Sequence, residues 1–144
     1  MTCVIQITGN KDVGKTVLAE RIIKMLKERG HSVVAVKISH HEPDSIDKDT
    51  YRMRKAGADR VLFYNGHIYL LYTREVDCID LAADYIVVEG LREVKAGYKI
   101  HIGPNPPQDV DMAVDDVNSP VEIRCVEMSP CTLLSLMATY KPKI

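Results

Sequence analysis

The chain opens on TCVIQI (2–7), a short apolar run dense in β-branched residues, which predicts a buried strand. In TVLAERIIKMLKERG (16–30) the period changes. Leu18, Ile22, Met25 and Leu26 fall on one face while Lys24, Lys27 and Glu28 point away, and Gly30 supplies the stop, so this segment predicts a helix. SVVAVKI (32–38) reads as a second strand, and the polar stretch SHHEPDSIDKD that follows has no period. TYRMRKAGA (50–58) predicts a short helix ending near Gly57. Two strand-like runs then flank Asn65-Gly66 within residues 60–73, the strongest short-range signal for a hairpin. DCIDLAA (77–83) predicts a short helix and YIVVEG (85–90) a buried strand.

Beyond residue 100 the pattern weakens. Residues 103–120 hold four prolines, four aspartates and no lysine or arginine, and read mostly as loop. VEIRCV (121–126) and TLLSLMATY (132–140) predict a last strand and a last helix. Strands alternating with helices around an apolar first strand predict an α/β fold, a doubly wound and mainly parallel sheet with one inserted β-hairpin.

Composition narrows the function classes. At 144 residues the chain has the size of a single domain, 1–144, with 46% hydrophobic and 27% charged residues as in a soluble globular protein. A net charge of -1 argues against nucleic acid as a partner. No apolar run approaches the roughly 20 residues that span a bilayer, and the N-terminus enters a strand-like run rather than a secretory pattern. Cys3, Cys78, Cys125 and Cys131 form no C-x-x-C pair, and three lie in or beside apolar runs. The expectation is reduced, buried thiols in a cytoplasmic protein, with a Cys125–Cys131 disulfide as the alternative.

The chemistry concentrates at residues 9–16. Gly9-Asn10-Lys11-Asp12-Val13-Gly14-Lys15-Thr16 fits G-x-x-x-x-G-K-[ST] and sits between a predicted strand and a predicted helix. Such glycines let the backbone form a nest of N–H groups converging on phosphate oxygens at a helix N-terminus. Gly9, Lys11, Asp12, Val13, Gly14, Lys15, Thr16 and Val17 are therefore the candidate nucleotide-binding residues. Lys15 would reach the β- and γ-phosphates, and the Thr16 hydroxyl would meet Mg²⁺. A phosphate-binding domain also needs a carboxylate at the tip of a neighbouring strand. Glu89, ending Tyr85–Val88, is the candidate for Mg²⁺ and for catalysis alongside Lys15; Asp84 should lie at the opposite end of its strand. His40, His41, Asp44, Asp47 and Asp49 follow the second strand and on composition read as a solvated connection.

GNKDVGKT (9–16), KISHHEPDSIDKDTYRMRKAGA (37–58) and YIVVEG (85–90) together resemble molybdopterin-guanine dinucleotide biosynthesis protein B, the MobB family, over residues 2 to about 102. The His-His segment and the Asp-Thr-Tyr-Arg…Ala-Gly-Ala helix are its discriminating parts. Ile38 stands where the family usually has a histidine, the loop from His41 to Lys48 is about two residues short, and residues beyond 103 follow no family pattern. The resemblance implies a GTP-binding, weakly GTP-hydrolysing homodimer that assists the molybdopterin nucleotidyltransferase. It further suggests a site for the pterin or the partner at His40, His41, Asp49 and Arg52. Guanine specificity has no motif of its own: Asn10-Lys11-Asp12 lies inside the phosphate loop, which leaves the aspartates of 109–116 as the candidates. Two other classes fit the loop. One is an ATP-dependent small-molecule kinase, with Arg52, Arg54 and Arg92 neutralising charge. The other is a nucleotide-switched adaptor without needed turnover. A zinc site at His40-His41 is disfavoured, because adjacent side chains in regular structure project differently.

Overall fold

The computed structural model describes residues 2–43, 45 and 47–140, so Asp44 lies outside the described residues. The chain divides into two compact units. One joins the segment ending at Ile38 to the segment from Cys78 onward, and the other is Ser39–Asp77.

The larger unit is built on β1 (Thr2–Gly9), α1 (Lys15–Glu28), β2 (Val33–Lys37), β5 (Tyr85–Glu89), β6 (Tyr98–Ile102), β7 (Met112–Val114), β8 (Glu127–Met128) and α3 (Pro130–Met137), with a 3-10 turn at Cys78–Leu81. The strands lie in the order β2-β5-β1-β6-β7, with β8 pairing β1 off that path. All pairings along the main path are parallel, and only β8 runs antiparallel. Alternation along β1 sends Ile5 and Ile7 to one face, where Leu18, Ile22 and Leu26 of α1 pack with Val87, Ile100 and Ile102. Val4 faces the other side with Ile86, Val88, Leu91, Ala96 and Leu133 of α3. Both faces of the sheet are thus covered, as buried parallel sheets require. The expected α/β architecture is present.

The smaller unit holds α2 (Asp49–Lys55) and the antiparallel pair β3 (Arg60–Tyr64) and β4 (Ile68–Thr73), joined at Asn65-Gly66 as the turn signal predicts. Arg54 anchors this unit. Its guanidinium pairs with Glu42 at 2.5 Å and lies over the Tyr51 and Tyr72 rings, at 4.8 and 5.4 Å from their centroids.

Three features depart from the sequence pattern. Residues 98–102 carried no strand prediction, yet β6 is fully buried, with Lys99 and His101 both at 0% exposure. The polar residues at alternate positions break the apolar run, and their partners lie in loops that the pattern does not locate. Residues 121–126 form no strand: Val121 and Ile123 pack against the core, but pairing begins only where Val4 N–H donates to the Val126 carbonyl. The cysteines also differ from the expectation of reduced thiols and from the Cys125–Cys131 alternative. Cys3 is bonded to Cys125 and Cys78 to Cys131, with Cα separations of 5.0 and 4.8 Å. The antiparallel β1–β8 pairing brings Cys125 to Cys3, and packing of α3 on the 3-10 turn brings Cys131 to Cys78. Topology sets these pairs, not local sequence.

These bonds close loops of 122 and 53 residues. Opening either one should lower unfolding stability by about 3–5 kcal/mol. Alkylation of native, unreduced protein followed by mass spectrometry should label no cysteine, and reductant should lower the Tm. Four labelled thiols and an unchanged Tm would contradict the pairing.

Candidate nucleotide-phosphate site

The loop after β1 is shaped by residues that tolerate its backbone. Asp12 (φ 62°) and Gly14 (φ 97°) both adopt left-handed conformations, the alternation from which an anion nest is made. A Cβ on Gly9 would come within 2.7 Å of the Ile102 carbonyl, and one on Gly14 within 2.4 Å of Val117 Cγ1. The first glycine therefore keeps the loop against β6, and the second admits the 115–119 segment. Val13 turns its side chain towards Gly9 and Gly103 and joins the core, which leaves its backbone to the loop. Gly14 caps α1 without any side-chain hydrogen bond, and the first turn holds no acidic residue. The N–H groups there are left for an anion.

Lys15 opens α1, half-buried, and makes no ion pair or hydrogen bond among the described residues. Lys11, Asp12, Thr16 and Val17 are exposed around it. The parallel register places Glu89 beside Ile7 on β1 and Lys37 on β2, at the edge where the loop begins. From there its carboxylate accepts a hydrogen bond from the Thr16 hydroxyl, with Oε1 at 3.1 Å and Oε2 at 3.2 Å. Lys37 Nζ stands 3.9 Å from Oε1. Asp84 is at the other end of β5, where it accepts from Ser32 N–H at 2.9 Å. That hydrogen bond holds its carboxyl below the usual carboxylate range.

A hydroxyl and a carboxylate in contact are hard oxygen donors that suit Mg²⁺. Among the described residues no three His, Cys, Asp or Glu side chains gather into a metal cage. Mg²⁺ needs none, since it keeps waters and shares phosphate oxygens. The residues present fit that ion.

The other nominated side chains are placed as follows. His40, His41, Asp49 and Arg52 belong to the smaller unit and are exposed. The His40 and His41 rings do not diverge; their centroids are 4.2 Å apart. Among the aspartates of 109–116, Asp109 pairs with the buried Lys99 at 2.8 Å and Asp111 with Lys95. Burial pushes the Asp111 carboxyl up, but hydrogen bonds from Lys95 and from Lys99 N–H more than offset this and hold it below its usual value. Asp116 accepts from Asn118 N–H at 2.8 Å, and Asp115 is exposed. Two contacts at the loop carry no sequence signature. Arg92 Nη1 donates to Asn10 Oδ1 at 2.9 Å, and Arg21 Nη1 donates to the Val117 carbonyl at 3.1 Å.

Residues 4–109 match the family model described as MobB: Molybdopterin guanine dinucleotide synthesis protein B. The chain belongs to this family. It is 26% identical to the molybdopterin-guanine dinucleotide biosynthesis adapter protein of Haemophilus influenzae, over 78% of this chain and 80% of that protein. A putative adapter protein of Methanocaldococcus jannaschii is 32% identical, over 62% of this chain and 41% of its own length. A crystal structure of Bacillus subtilis MobB shares the fold, with a TM-score of 0.57 and 20% identity over 93% of this chain and 97% of that one.

Lys15→Ala removes a charged donor from an otherwise formed loop. It should weaken binding of a nucleoside triphosphate with Mg²⁺ by about 1.5–3 kcal/mol in calorimetry. Thr16→Ala should act through the metal, so its defect should shrink when Mg²⁺ is omitted. Wild-type affinity in Lys15→Ala would remove the phosphates from this loop.

Proposed function

We propose that the chain binds GTP with Mg²⁺, hydrolyses it slowly, and serves as an adapter to the nucleotidyltransferase that joins GMP to molybdopterin. The observation that carries this reading is the Thr16–Glu89 hydrogen bond beside the uncapped N-terminus of α1. A helix N-terminus, a loop lysine and a hydroxyl–carboxylate pair are together the parts that a nucleoside triphosphate and its divalent ion need. Gly9, Asp12, Val13, Gly14 and Val17 shape the nest, and Lys11 and Lys15 supply positive charge. Thr16 and Glu89 would hold Mg²⁺, which when bound neutralises charge on the β- and γ-phosphate oxygens. Glu89 acts on hydrolysis through that ion or by orienting the attacking water.

Family membership supports the pathway, and the description of the Haemophilus influenzae relative as an adapter supports a partner enzyme. The preference for GTP over ATP, the homodimer and the cytoplasmic place of action come from the family resemblance. The exposed Leu62, Tyr64, Ile68 and Leu70 of the hairpin offer apolar surface for burial against a second copy. The two disulfides are the feature that a reducing compartment would open. His40, His41, Asp49 and Arg52 are assigned to the pterin or the transferase, since they are exposed and Arg52 can pair with a phosphate.

Glu89→Gln keeps the side chain's shape and loses its charge. Single-turnover measurements should show hydrolysis falling by about tenfold or more, with GTP affinity changed far less. Asp84→Asn, at the far end of β5, should leave hydrolysis unchanged. In the same preparation with the transferase and molybdopterin added, His41→Ala and Arg52→Ala should slow cofactor maturation while keeping GTP affinity. Hydrolysis lost in Asp84→Asn but kept in Glu89→Gln, or wild-type maturation by both of the other variants, would contradict these assignments.

A further inference from the structure

The segment between β5 and β6 is held far more tightly than a surface turn requires. Gln6, fully buried on β1, has Nε2 at 2.9, 2.8 and 3.1 Å from the carbonyls of Gly90, Leu91 and Val94, which share its two N–H donors. Its Oε1 accepts from Ala96 N–H at 2.9 Å. From β6, the fully buried Lys99 donates through Nζ to the Arg92 carbonyl at 2.8 Å and the Val94 carbonyl at 3.3 Å. Its charge is balanced by Asp109 at 2.8 Å. Two buried polar side chains thus fix residues 90–96 from beneath. Burying an ammonium is costly unless it is paired and hydrogen-bonded, and here both conditions are met.

On this fixed segment stands Arg92, three residues after Glu89. Its side chain is exposed, and Nη1 rests on Asn10 Oδ1 at 2.9 Å. Asn10 lies near the start of the phosphate loop, whereas Lys15 and Thr16 close it at the helix. An anion cradled by the loop would lie between those ends, and the contact with Asn10 seats the guanidinium at one of them.

We infer that Arg92 is a phosphate-contacting residue supplied in cis, which exchanges Asn10 for oxygens of the transferring γ-phosphoryl group and its bridging leaving oxygen during hydrolysis. Gln6 and Lys99 are the positioning residues that hold its backbone. This rests on the GTP-hydrolysing reading of the same loop. In that reaction a water oxygen bonds to the γ-phosphorus and the bond to the bridging oxygen breaks. The electron pair passes to the β-phosphate of GDP; one water proton stays on the new P–OH and the other passes to a phosphate oxygen or to solvent. A planar, permanently charged guanidinium is suited to the oxygens whose charge changes in this step.

The test uses the full chain with Mg²⁺·GDP, with and without aluminium fluoride as a mimic of the transferring phosphoryl group. Arg92→Ala should bind GDP within about threefold of wild type and lose at least about tenfold in affinity for the aluminium fluoride complex. Arg92→Lys, keeping the charge but not the fork, should fall between them. Equal losses for both ligands would make Arg92 only a brace of the loop, and no loss for either would remove it from the site. Failure of wild-type protein to bind GDP would instead overturn the nucleotide reading itself, and this inference with it.

Discussion

The parallel pairing of β1 with β5 is the constraint on which the site depends. It sets Ile7 opposite Glu89, so the strand leading into the phosphate loop and the strand ending in a carboxylate finish at one edge. A one-residue slip would exchange the two faces of β1, sending Gln6 among Ile22 and Ile100 and stripping the β5–β6 segment of its hydrogen bonds. Register here is specified by both cores at once, because β1 contributes Ile5 and Ile7 to one and Val4 to the other. The same pairing puts Thr16, in the first turn of α1, against the Glu89 carboxylate.

Around that pairing, buried polar groups fix loops that apolar packing alone would leave free. Gln6 and Lys99 hold the segment carrying Arg92. His101 spans two further points: one ring nitrogen is 3.0 Å from the Thr8 hydroxyl, immediately before the phosphate loop, and the other is 3.0 Å from the Pro104 carbonyl. Each of these side chains is buried, and each has partners in a loop near the C-terminal edge of the sheet. Desolvated polar groups tolerate few alternative arrangements, since an unmade hydrogen bond in the interior costs more than a made one contributes. The loops at this edge are thereby tied to the sheet by buried hydrogen bonds, while Lys11, Asp12 and Arg92 on their outer surfaces are exposed.

Much of this was legible in the chain. Period and turn chemistry locate β1, α1 and the Asn65-Gly66 hairpin because their determinants are local. The phosphate loop reads clearly for the same reason, and Glu89 is found by its place at the end of an apolar run. What escaped depends on contacts distant in sequence. Lys99 and His101 look like surface residues until the loops that receive their hydrogen bonds are in place, which hid β6. The partners of Cys3 and Cys78 are chosen by strand and helix packing. Arg92 could be named as a positive charge, but nothing in the order of residues says that it meets Asn10.

Hydrogen exchange on the intact protein, with and without Mg²⁺·GTP, tests the central claim most directly. If the loop after β1 cradles the phosphates, amides of residues 10–17 should exchange more slowly on nucleotide addition, as should those around Glu89. Saturable GTP binding that leaves both segments unchanged and protects amides elsewhere would contradict the account.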